Sequence, residues 1–173
     1  HKQLEATENI FKYLQITTAF YIAFAHGSND VANAVGPLAA VVSVLKSGTV
    51  AMKVAMPTWI LALGGGFIVL GLLVWGRRVM ETIGKKITEI TPSRGFCATF
   101  AAATVVLICS KMGLPVSTTH TLVGSVIGVG LARGLPTLNL SIVKEIVMSW
   151  LATVPFTALL SAILFKVMIL TFG

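Results

Sequence analysis

The sequence has 173 residues, 55% of them hydrophobic and only 11% charged, with a formal net charge of +7. A soluble domain carries about a quarter of its residues as charged types, so this composition excludes an ordinary cytosolic globular protein. The charges also cluster and leave long uncharged windows between them, the pattern of a membrane protein, in which a basic excess sets topology rather than nucleic-acid binding.

Residues 1–12 (HKQLEATENIFK) are of mixed charge and lack the basic start and short apolar run of a secretory signal; they read as an interfacial helix start. The next stretch, 11–45, is apolar but interrupted at His26-Gly27-Ser28. Its length, about 35 residues, suits two short helices better than one straight crossing. Asp30 is the chain's only aspartate and is flanked on both sides by long apolar sequence. Two readings of it stand. Ser28, Asn29 or Asp30 could cap a helix that starts at Val31. Alternatively, the carboxylate is functional, because an ionised group at depth in a bilayer costs at least a few kcal/mol and marks a site. Asn29 and Asn33 are spaced i, i+4, and Asp30 and Asn33 i, i+3, so three amide or carboxyl groups share one helical face. That face offers hard oxygen ligands for an alkali cation, and the break beside it offers free amides for an anion.

Residues 54–76 contain no charge and are long enough for a full span. Gly64-Gly65-Gly66 within it reads as a packing or bending site, since a phosphate-binding loop would need a strand before it and a lysine after it. The segment 77–94 reads as a basic loop carrying Arg77, Arg78, Lys85, Lys86 and Arg94. The positive-inside rule makes it cytoplasmic and puts residues 46–53 outside, although Lys46 and Lys53 oppose that assignment.

The stretch 95–132 is interrupted at Gly113-Leu114-Pro115-Val116-Ser117-Thr118-Thr119-His120. Pro115 cannot continue a helix, and Ser117 or Thr118 is suited to capping a new one that runs to about Ala132. Hydroxyls at a helix N-terminus can cradle an oxyanion, while the competing reading has them bonding their own backbone or a neighbouring helix. Whether 11–45 and 95–132 are re-entrant hairpins or broken spans is open at this level. Gly124 and Gly128 read as a packing stripe. Cys97 and Cys109 lie too far apart along one helix for a disulfide and read as packing residues. His26 and His120 read as hydrogen-bonded structural residues, with proton carriage as the alternative, and two histidines are too few for a metal site. A second complete span lies near 146–170.

The fold class is therefore an all-α integral membrane protein with two complete spans and two interrupted elements. Paired interrupted segments point to the site of a secondary transporter. An enzyme is not expected, because no nucleophile, base and orienting group assemble from these residues. The competing classes are a non-transporting membrane assembly module and a channel. Asp30 argues against both, since helix packing has no use for a lone carboxylate and a channel presents repeated polar rings.

Three segments carry a resemblance. FAHGSNDVANAVGPLAA (24–40), GLPVSTTHTLVGSVIGVG (113–130) and WLATVPFTALLSAI (150–163) resemble the inorganic phosphate transporter (PiT) family. Members contain two homologous halves of inverted topology, and His26 before Gly-Ser-Asn-Asp resembles the carboxy-terminal copy. The resemblance implies one half of an inverted-repeat transporter, a single membrane domain over 1–173, whose partner is the other half or a second copy of the chain. It implies symport of inorganic phosphate with a cation, sodium in many members and protons in others. By position, Asn29, Asp30 and Asn33 would hold the cation, and Asp30, Ser117, Thr118 and Thr119 the phosphate. No organic cofactor and no metal beyond sodium are implied. An oxygen-only ligand set favours sodium, since Glu5, Glu8, Glu81, Glu89 and Glu145 all look interfacial. The implied location is a multi-pass place in a cell membrane, prokaryotic given the short loops, in contact with lipid and with no nucleic-acid partner.

Overall fold

The computed structural model describes residues 2–50, 54 and 56–172. His1 and Lys53, on which part of the sequence reading rests, lie outside the described residues. Helices account for most of the described residues: α1 (Lys2–Ser47), α2 (Thr58–Gly71), α3 (Arg77–Glu81), α4 (Pro92–Lys111), α5 (Thr118–Leu131) and α6 (Leu140–Phe172). The chain divides into two compact units, His1–Leu138 and Asn139–Gly173. Among the described residues, four helical stretches are long and apolar enough to cross a membrane: Gln3–Ser47, Thr58–Lys86, Pro92–Lys111 and Leu140–Phe172.

α1 corrects the sequence reading. It runs through His26-Gly27-Ser28 without a break, so 11–45 is one helix and not two short ones. The reason lies in where the polar side chains go. Ser28 Oγ donates back to the Ala25 carbonyl at 2.9 Å, a bond made within a continuing helix, and not to the free amides of a new helix start. Asn29 and Asp30 bond across to another element, as described below, so no cap forms at Val31. Pro37 also lies inside the helix. Gly48 ends it in the left-handed region at φ 67°, its N–H donating to Val44 O at 2.8 Å.

The expected span at 54–76 is present as α2, which continues through a π turn over Leu72–Gly76 into α3 and a second π turn over Thr82–Lys86. The segment 77–94 is accordingly helical as far as Lys86, and only residues 87–91 form a non-helical link. Arg77 Nε reaches Glu81 Oε1 at 3.3 Å, an i, i+4 pair that supports this extension.

α4 lies beside α1 and runs in the same direction. Contacts from one end to the other fix this register: Glu8 with Ser93, Thr18 with Thr99, Tyr21 with Thr104 and Asn29 with Ser110. Small residues set the approach distance, with Ala25, Ala98, Ala102 and Ala103 all buried, as in close membrane helix pairs. An aromatic ladder lines the same seam: Phe11 meets Phe96 edge-on at 5.4 Å, Phe96 stacks on Phe100 at 5.8 Å, and Tyr21 tilts over Phe100 at 5.9 Å. At the start of α4, Glu8 Oε2 accepts the Ser93 N–H at 3.0 Å and Oε1 accepts the Ser93 hydroxyl at 2.7 Å, so a side chain of α1 satisfies an end group of α4.

After the gap at 112–117, α5 runs back, and Gly130 at its end packs on Leu138 and Thr88. Thr88 Oγ1 donates to Thr137 O at 3.0 Å. The stretch 95–132 is therefore a helical hairpin that leaves and returns at the end where residues 87–91 lie. Gly113, at φ 71°, makes the turn at its tip. Gly64 packs on Val35, as the packing reading of Gly64-Gly65-Gly66 requires. Gly124 and Gly128 have no neighbouring atom where a Cβ would stand, so this glycine stripe is not packed within the unit. Cys97 is exposed and Cys109 half-buried, which leaves Cys97 out of the core.

The second unit contains α6, a continuous helix of 33 residues with Pro155 inside it, covering the expected span at 146–170. Asn139 Oδ1 accepts the Ile142 N–H at 3.3 Å at its start.

Candidate functional site

The polar residues of mid-α1 meet the tip of the hairpin. Asn29 is 4% exposed and Thr118 6% exposed. Asn29 Nδ2 donates to Asp30 Oδ1 at 2.8 Å and to the Val116 carbonyl at 2.7 Å. Its Oδ1 accepts from Ser110 Oγ at 3.4 Å. The Thr118 hydroxyl lies over the Asp30 carboxylate, 3.0 Å from Oδ1 and 2.8 Å from Oδ2. His26, one turn earlier on α1, places Nε2 2.8 Å from Asp30 Oδ2.

Each element needs a particular sequence for this. α1 carries His26, Asn29, Asp30 and Asn33 within two turns, and its continuity stacks His26 under Asp30. The hairpin tip is open because Pro115 and the turn at Gly113 stop α4, leaving the Val116 carbonyl outside any helix ladder. Ser117 then caps α5, accepting the His120 N–H at 3.3 Å, while its hydroxyl also meets His120 Nδ1 at 2.7 Å. Thr121 and Ser125 bond back to the carbonyls of Ser117 and Thr121, each at 2.8 Å, so these two hydroxyls follow the helix-bonding alternative.

A cleft of about 220 Å³ opens beside this cluster, lined by Ser28, Asn29, Ala32, Asn33, Ser110 and the Gly113-Leu114-Pro115 turn. Of the residues singled out in the sequence, Asn29, Asp30 and Thr118 are bonded together, and Asn33 joins Asn29 at the cleft. Ser117 and Thr119 are exposed in the first turn of α5, where free amides and the helix dipole favour an anion. The arrangement thus places oxygen ligands in the cleft, a carboxylate bonded to the Asn29 that lines it, and hydroxyl and amide donors next to that carboxylate.

Sequence reasoning missed the contacts of His26 and Ser110. His26 and Asp30 are i, i+4, a signal that exists only once α1 is continuous. Ser110 meets Asn29 across a separation of 81 residues, which leaves no local trace.

The long apolar helices among the described residues define a multi-pass helical membrane protein. The sequence profile of the phosphate transporter family matches residues 1–161, and the chain belongs to that family. It is 57% identical over 163 residues to a protein of Thermococcus kodakarensis named as a phosphate permease, covering 94% of this chain and 40% of that one. It is 56% identical over 163 residues to the chloroplastic inorganic phosphate transporter 2-1 of Arabidopsis thaliana, covering 93% of this chain and 28% of that one. A solved structure of a sodium-dependent phosphate transporter superposes with a TM-score of 0.88 at 51% identity, covering 96% of this chain and 42% of that chain. The chain therefore spans about two fifths or less of the length of these relatives. The family is one of transporters and not of enzymes.

Proposed function

We propose that this chain supplies one half of the substrate site of a secondary transporter that moves inorganic phosphate in symport with sodium. The observation that carries the reading is the Asp30 carboxylate, set between a cleft with oxygen ligands and the N-terminal turn of α5. Phosphate would lie at that turn, receiving hydrogen bonds from Ser117, Thr119 and the backbone N–H of Thr118, whose hydroxyl is engaged by Asp30, and giving one from its own hydroxyl to Asp30. Sodium would lie on the cleft side against Asp30 and Asn33, where its charge offsets the repulsion between the carboxylate and the anion. The name of the solved relative supports sodium as the coupling ion.

The remaining ligands come from the other half of the transporter or from a second copy of the chain. The chain lies in a cell membrane among lipids. Arg77, Arg78, Lys85, Lys86 and Arg94 put the base of the hairpin in the cytoplasm by the positive-inside rule.

The test is uptake of labelled phosphate by vesicles containing the chain and its complementary half, with sodium replaced by choline at constant pH. Abolished uptake supports the reading. A second reading, proton coupling, is favoured by one observation, His26 Nε2 at 2.8 Å from Asp30 Oδ2. Uptake that survives in choline and follows a proton gradient would establish it instead.

A further inference from the structure

We propose that Asn29 is a positioning residue: its amide, approached from behind by Ser110, fastens the Asp30 carboxylate to the hairpin tip through two N–H bonds. This rests on the reading of the cluster as a transport half-site.

The amide can stand in only one orientation. Its two neighbours at 2.7 and 2.8 Å are a main-chain carbonyl and a carboxylate, and both of these only accept hydrogen bonds. Turning the amide over would set its oxygen against two acceptors, so Nδ2 is fixed on that side by chemistry. Both amide protons are then used. The oxygen points the other way, and there the Ser110 hydroxyl, a group able to donate, approaches at 3.4 Å.

Asn29 thereby joins three places that the backbone alone does not hold together: the carboxylate on α1, the carbonyl freed at the tip and the end of α4. The Val116 carbonyl has lost its helix partner, and an unpaired carbonyl away from water is costly, so its bond to Asn29 holds the tip against α1. The same amide nitrogen meets Asp30 Oδ1, which the Thr118 hydroxyl also approaches, and that hydroxyl and His26 meet at Oδ2. The titratable groups facing this amide are Asp30 and His26 of α1. The hairpin presents the Ser110 and Thr118 hydroxyls and the Val116 carbonyl.

Replacing the amide by a carboxylate separates the two possible roles by sign. A cation ligand gains charge in Asn29→Asp, so sodium binding would hold or strengthen. A positioning donor becomes an acceptor facing two acceptors, so the site opens unless a proton is shared between residues 29 and 30.

The experiment measures sodium binding and labelled phosphate binding by the chain with its complementary half at one constant pH. The proteins are the parent, Asn29→Asp, Ser110→Ala and Ser110→Thr, each compared with the parent. Amide hydrogen exchange of residues 113–119 is followed in parallel. The expected result is a loss of about tenfold or more in both affinities for Asn29→Asp, with faster exchange at the tip. Ser110→Ala weakens binding by about threefold and Ser110→Thr matches the parent. Parent-like or tighter sodium binding by Asn29→Asp overturns the proposal. Should that variant not fold, the Ser110 pair decides, and a Ser110→Ala protein equal to the parent overturns it. A parent that binds no phosphate would overturn the transport reading alone, because the exchange contrast at the tip judges the role of Asn29 without any substrate.

Discussion

Thr118 and Asp30, 88 residues apart in the chain, meet as one hydroxyl over both oxygens of one carboxylate, at 3.0 and 2.8 Å. The pair fixes the N-terminal turn of α5 to the middle of α1. It also ties the group that would bear the cation's charge to the turn that would bear the anion's.

Thr118→Val keeps the shape of the side chain and removes its hydroxyl. A hydrogen bond to a charged group is worth about 1.5–3 kcal/mol, so phosphate affinity should fall roughly tenfold to a hundredfold. Thr118→Ser should retain most of it. Binding of labelled phosphate by the two variants checks this, and equal affinities would remove the bond from the mechanism.

Asp30→Asn should change which oxyanion is carried. A carboxylate accepts a hydrogen bond from a protonated phosphate, and fully ionised sulfate has none to give. Uptake measured with phosphate against sulfate should lose its preference for phosphate in the variant. Unchanged selectivity would place the discrimination elsewhere.

The α1–α4 seam should respond to added volume. Ala103 is 0% exposed and Ala101, two residues earlier, is exposed. Ala103→Leu overpacks the seam and should cost about 1–3 kcal/mol, read as a lower unfolding temperature in detergent, while Ala101→Leu should leave it unchanged.

Thr18 and Thr99 bring their hydroxyl oxygens to 2.8 Å on facing sides of the same seam. In a background with Cys97 and Cys109 replaced by Ala, Thr18→Cys with Thr99→Cys should form a disulfide on oxidation. With Glu8, Thr18 and Asn29 fastening the hairpin along its length, α1 and α4 should move as one body, and transport should persist in the cross-linked protein. Activity lost on oxidation and regained on reduction would show that the seam must open.

The hairpin tip was legible because its signals are local: Gly113 for the turn, Pro115 to stop α4, Ser117 to cap α5. The two long spans were legible from uncharged length alone. The continuity of α1 was not. Ser28, Asn29 and Asp30 are the residue types that start helices, and nothing nearby in the sequence shows that two of them bond to a segment more than 80 positions away. The same distance hid Ser110. The basic stretch after Gly76 reads as a loop because charge ends the apolar run, but a helix needs no apolar face to continue, and this one runs on to Lys86.

A hairpin that departs and returns at one end makes no net crossing. Its two flanks, residues 87–91 and 132–135, are therefore in the same compartment whatever the absolute orientation of the protein. Water-soluble labels attached at Glu89 and at Arg133 would have to agree with each other even if both contradicted the positive-inside rule, which makes the relative placement of these flanks independent of every charge in the sequence.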